Sequence, residues 1–238
     1  MKNLFIAVIS LTALSILFNA CSSSTEPNTS GSINLSSKYS TTDLQMVGSA
    51  AATGVLINKV TYILREIKFK NQKDSTDGLF KTTPLVLELN IAGSVQEIGG
   101  LTVPFGTYNR LEFDIHRAEA NDTTAMNTEQ RAKIRQFFVG DKYSFIIEGV
   151  VVDGATQKNF VYKSKMNMKQ KIDLIQPLVV TESDNIIYAT MLVSSFGWFK
   201  DGNNILDPTN PINESKIDYN IRQSIKAIKD KNKDGIAD

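Results

Sequence analysis

Short runs of alternating apolar and polar residues, each broken by a turn signal, recur from residue 60 to residue 193. They confine the chain to a mostly-β fold. Residues 60–69 (VTYILREIKF) are β-branched and aromatic and are followed by a polar turn over residues 71–78. In residues 85–91 (LVLELNI), Leu85, Leu87, Leu89 and Ile91 alternate with Val86, Glu88 and Asn90, the pattern of a strand with one buried face. The turn Pro104-Phe105-Gly106 leads into residues 107–116 (TYNRLEFDIH), where Leu111, Phe113 and Ile115 oppose Glu112, Asp114 and His116. Further strands are expected over residues 143–152, 160–168, 172–175, 178–181 and 185–193, with a hairpin turn at Asp153-Gly154. Residues 121–138 interrupt the series with a short helix capped near Asn127. About eight or nine strands without alternating helices predict an antiparallel β-sandwich, with a barrel as the other closed solution.

The two ends of the chain depart from this pattern. Residues 1–20 open with Lys2, run uncharged from Leu4 to Phe18 and end in the small Ala20 before Cys21. The apolar run is about 15 residues, short of the roughly 20 that span a bilayer as a helix. A basic start, a short apolar core and small residues near a cleavage point describe a secretory signal peptide. Phe18-Asn19-Ala20-Cys21 resembles the lipobox of bacterial lipoproteins, with Phe18 standing where that motif has Leu, Val or Ile. The resemblance implies lipidation of Cys21 as the first residue of the mature chain, and Ser22 rather than Asp after it implies export to the outer membrane. The other reading is an ordinary secreted protein cut before a chance cysteine.

Cys21 is the only cysteine, so no disulfide forms within the chain. A free thiol in an oxidising compartment is a liability that acylation removes. Of 26 Lys and Arg, Lys2 leaves with residues 1–20, so 25 bases face 25 acids in the mature chain. A neutral balance excludes the electrostatic footprint of nucleic-acid binding or of a polybasic membrane patch. Residues 21–41, rich in Ser, Thr, Asn, Gly and Pro, are expected to form a flexible tether, with the sandwich occupying 42–199.

Residues 200–238 comprise an Asn- and Asp-rich loop, a helix and a terminal loop. In residues 214–229, Ile217, Ile221, Ile225 and Ile228 fall at i, i+4, i+8 and i+11. That stripe predicts an amphipathic helix lying on the sandwich, with Asn213 or Ser215 as its cap. The end of the chain reads Asp230-Lys231-Asn232-Lys233-Asp234-Gly235-Ile236-Ala237-Asp238. Oxygen side chains at alternate positions with Gly at the sixth suit a hard cation, making Asp230, Asn232, Asp234, Ile236 and Asp238 the candidate calcium ligands. An EF-hand loop also needs a bidentate Glu at position 12, and here the sequence ends at position 9. The spacing resembles the DxDxDGxxD loops of thrombospondin type 3 repeats, which come in tandem, whereas this loop is single. Further ligands would have to come from elsewhere, such as the turn 201–204 or Asp207. The competing reading is a solvated tail, given the interleaved Lys229, Lys231 and Lys233.

Chemistry elsewhere is sparse. Glu112, Asp114 and His116 share one face of a strand, spaced about 7 Å apart. That spacing suits a pair of glycosidase carboxylates, but any strand with alternating acids has it, and a solvated face is the plainer reading. Trp198, the sole tryptophan, sits in Phe196-Gly197-Trp198-Phe199 as a candidate sugar platform or a core-closing ring. GxSxG, HExxH, Walker and GxGxxG motifs are absent from the sequence.

Residues 60–69, together with Val103-Pro104-Phe105-Gly106-Thr107-Tyr108, resemble a family of uncharacterised bacterial lipoprotein domains. Those domains carry "LPAGTY" before an alternating strand; Phe105 replaces a small residue here. The resemblance implies a transthyretin- or immunoglobulin-like sandwich and brings no catalytic residues. The expectation is a lipid-anchored, non-enzymatic module of the cell envelope that binds an envelope protein or glycan. The alternative is an envelope hydrolase acting on glycans through Glu112 and Asp114.

Overall fold

The computed structural model describes residues 29–40, 53–71, 78–81 and 83–238. The expected signal peptide and Cys21 lie outside the described residues. The strands are β1 (Ser30–Ser40), β2 (Thr53–Asn71), β3 (Gly78–Lys81), β4 (Leu85–Glu88), β5 (Gln96–Pro104) and β6 (Gly106–Ile115). Then follow helix α1 (Thr128–Ile134), β7 (Phe145–Asp153), β8 (Thr156–Ser164), β9 (Met168–Val180) and β10 (Ile186–Ser194). Two-residue strands β11 (Lys200–Asp201) and β12 (Asn204–Ile205), helix α2 (Glu214–Gln223) and β13 (Ile225–Lys229) close the chain.

Two sheets form a sandwich-like, mainly-β body. One has the order β13-β10-β1-β5, and the other runs β8-β7-β2-β6-β9 with β3 and β4 also on β2. Ile33, Leu35 and Val193 from the first sheet and Tyr62, Phe113 and Phe145 from the second share one buried core. Among the described residues all pairings are antiparallel except β1 with β10, a parallel pair that simple strand alternation does not announce.

β2 is long enough to serve two partners, β7 along its first half and β6 along its second. The exchange falls at Ile63, whose N–H donates to Ser144 O (3.0 Å) and whose carbonyl accepts from His116 N (3.2 Å). The chain between β6 and β7 therefore leaves and returns at one point and folds over the outer face of the large sheet. A second core lies there, built from Ile63, Val86, Ile146, Ile134 and Phe137. The Asn127 side chain caps α1 by accepting from Gln130 N (2.9 Å), as its position predicts.

Three expectations are corrected. Residues 30–40 are not tether: β1 is a central strand whose Ile33, Leu35 and Tyr39 are buried, although Ser, Asn and Lys stand between them. The predicted helix over 214–229 ends at Gln223, where Ser224 turns back with its Oγ donating to Ile221 O (2.6 Å). Ile225 and Ile228 then belong to β13, paired with the edge of β10. Strand pairing there overrides a spacing that fits a helix equally well. The two strands expected at 172–175 and 178–181 are one strand, β9, with a register shift where it passes Tyr108 and Arg110.

Candidate functional site

On β6, Leu111, Phe113 and Ile115 fill the main core, as the alternation predicts. The opposite face is not simply solvated. Glu112 is buried between its cross-strand neighbours Lys68 and Lys171, and Asp114 lies between Arg65 and Lys169. Asp114 Oδ1 is enclosed without a hydrogen-bond partner. Burial raises the pKa of this carboxyl, against the pull of Lys169. Further along the face, Arg110 Nε meets Asp173 Oδ1 at 2.7 Å. These acids are members of a cross-strand charge ladder rather than a converging pair.

His116 stands apart from that ladder and joins a latch. Its Nε2 lies 3.1 Å from Arg65 Nη1 and 2.9 Å from Glu119 Oε1. Contact with His116, through hydrogen bond and charge, lowers the pKa of Glu119. Arg65 Nη2 also pairs with the fully buried Asp122, whose Oδ2 accepts from Glu119 N (2.7 Å). Arg65 from β2 thus fastens the first turn of the insertion to the sheet. Sequence reasoning missed this cluster because Arg65 and Asp122 are far apart in the chain.

The terminal loop is ordered and lies on the first sheet. Asp230 is fully buried; its Oδ2 accepts from Thr190 Oγ1 (2.5 Å) and Gly235 N (2.9 Å), and its Oδ1 from Asp234 N (3.0 Å). Asp234 Oδ1 accepts from Ile236 N (2.7 Å), Asn232 Nδ2 donates to Asp234 Oδ2 (2.9 Å), and Lys231 N donates to Asp238 Oδ2. Gly235 has a φ of 75°, the left-handed region that favours glycine. The expected ligands are therefore together in one loop, with both carboxylate oxygens of Asp230 and Asp234, Asn232 Oδ1 and Asp238 Oδ2 engaged by main-chain and side-chain N–H groups and the Thr190 hydroxyl. In this arrangement the loop does not present the six to eight free oxygens that calcium takes. Among the described residues no group of three or more His, Cys, Asp or Glu side chains is placed to hold a metal ion.

Trp198 is corrected as a ligand platform. It is fully buried, edge-on to Phe145 (5.7 Å between centroids) and to Tyr39 (6.5 Å), and so closes the core. The exposed aromatic of that turn is Phe196. Asn220 of α2 holds the turn by donating to the carbonyls of Gly197 (2.9 Å) and Lys200 (2.8 Å).

A groove of about 350 Å³ runs along β8, between Tyr143, Lys163 and Lys165 on one side and Pro208, Thr209 and Glu214 on the other. Neither Glu112 nor Asp114 lines it. At its base Tyr162 Oη donates to Asp218 Oδ1 (2.7 Å) and contacts Glu214 O (3.2 Å). Burial raises the pKa of Asp218, opposed by the Tyr162 hydrogen bond. A carboxyl raised on folding stabilises the fold in acid and loses that contribution as pH rises through its folded value. Asp218→Asn, which keeps an acceptor for Tyr162, is therefore expected to flatten the decline in thermal midpoint as pH rises above the ordinary aspartate range, about pH 4. Thermal melts of both proteins across that rise in pH check it; parallel curves would refute it.

No known protein family, no curated protein and no solved structure matches the chain.

Proposed function

We propose that the chain is a lipid-anchored, non-enzymatic module of the bacterial cell envelope, held at the outer membrane through Cys21 and binding an envelope protein or glycan. The observation that carries this reading is the N-terminal sequence: Lys2, the uncharged run from Leu4 to Phe18, then Ala20-Cys21 with no other cysteine behind it. The mainly-β, sandwich-like body is compatible with the transthyretin- or immunoglobulin-like domain that residues 103–108 resemble. The start of β1 at Ser30, nine residues after Cys21, limits the reach of the anchor to roughly 30 Å of extended chain. A domain so close to its lipid stands at the membrane surface instead of on a long stalk.

The hydrolase alternative needs Glu112 and Asp114 to converge on a substrate. Their places in a lysine-flanked ladder, away from the β8 groove, favour the binding module. Metabolic labelling with a fatty acid tests the anchor: the mature protein takes up label and Cys21→Ser does not. Label persisting in the variant removes the reading.

Calcium enters the proposal through the spacing of Asp230, Asn232, Asp234, Ile236 and Asp238 alone. Binding would exchange their present hydrogen bonds for the ion. Millimolar calcium added to EDTA-treated protein is expected to raise the thermal midpoint by a few degrees. An unchanged midpoint together with no heat of binding withdraws calcium.

A further inference from the structure

The terminal loop crosses the outer face of the first sheet from β13 over β10 to β1. Asp230 prolongs β13 by donating its N–H to Tyr188 O (3.1 Å). Its carboxylate holds Thr190, and Thr190 and its cross-strand partner Ile228 are both buried. Past β10 the loop meets Lys38, whose Nζ donates to Asp234 O (2.7 Å). The methylenes of Lys38 lie against Gly235, where an added Cβ would overlap the Lys38 stem. Lys233, at a φ of 61°, sets its ammonium 4.0 Å from the centre of the Tyr188 ring.

An acidic loop of this spacing ordinarily needs a cation to offset Asp230, Asp234 and Asp238. Here two ammonium groups stand at the loop: that of Lys38 from β1, on the main-chain carbonyl of Asp234, and that of Lys233 from the loop itself, over the Tyr188 ring. The geometry points to Lys38 as the resident cation of the loop, making residues 230–238 a clasp that fastens the C-terminal segment to β1 without metal. Lys38 is paired with Leu192 of β10, so its ammonium is delivered by a paired strand and not by a loop. β1 is also the strand that follows the N-terminal segment. The clasp therefore adds a side-chain tie to the strand through which any pull on that segment enters the domain. This inference stands on the contacts of Lys38 and is independent of whether calcium also binds.

Hydrogen exchange in EDTA tests it, on the full mature chain. The amides of Asp234, Gly235 and Ile236, each donated to a loop carboxylate, are expected to be protected in the wild type without metal. Lys38→Met keeps the stem and removes the charge, and it is expected to speed their exchange about tenfold while amides of β2 keep their rates. Two results overturn the inference: unchanged exchange in Lys38→Met, or wild-type loop amides that gain protection only when calcium is added. A wild-type loop protected in EDTA and protected further by calcium supports both readings, and one indifferent to calcium withdraws the calcium proposal alone.

Discussion

Arg65→Met is expected to lower the stability of the domain by about 3 kcal/mol, with the helical insertion loosening first. The loss follows from what the substitution leaves behind. Asp122 has no exposed side-chain surface, and its partners are the Arg65 guanidinium and the N–H of Glu119. Without Arg65 a buried carboxylate keeps one main-chain donor and no opposite charge in contact except through water entering the site. Breaking a buried pair from one side costs about 3–5 kcal/mol; the partly exposed Arg65 side chain places this case at the lower end. Arg65→Met with Asp122→Leu removes both members together and should recover much of the loss, since an apolar replacement leaves no orphaned charge. Denaturant unfolding of the two variants measures both effects. Equal stability of Arg65→Met and wild type would mean that the insertion is not fastened through Asp122.

The second large effect concerns β1. Leu35→Ala is expected to cost about 3 kcal/mol, as for a fully buried leucine whose cavity does not collapse. Removal through residue 40 takes the centre out of the β13-β10-β1-β5 sheet and is expected to unfold the domain. A tether at these positions predicts the opposite: indifference to Leu35→Ala and to the deletion through residue 40.

β1 also shows where sequence reading stops. The alternation of β6 is legible because Leu111, Phe113 and Ile115 are large and uninterrupted, and all three are buried. In β1 the same period is carried by Ile33, Leu35 and Tyr39 with Ser37 between them, in a stretch whose composition reads as linker. The second core was illegible for a related reason. Val86 alternates with Leu85, Leu87 and Leu89, a pattern that puts it on the solvent side of the strand, but the insertion brings Ile134 and Phe137 over that face. At the C-terminus, Ile225 and Ile228 satisfy a helical and a strand period alike; the open edge of β10 decides between them. Among candidate site residues, the loop positions from Asp230 to Asp238 were legible as one unit because they are adjacent. The latch of Arg65, His116, Glu119 and Asp122 depends on the break at Ile63 between β6 and β7, which no local pattern contains.

Lipid attachment at Cys21 is the centre of the functional reading. Fractionation of cells expressing the wild type or Cys21→Ser tests it most directly, with immunoblotting of membrane and soluble fractions after a high-salt wash. The wild type should remain in the membrane fraction, and Cys21→Ser should be released from it. A Cys21→Ser protein that stays with the membrane through the wash would contradict the account.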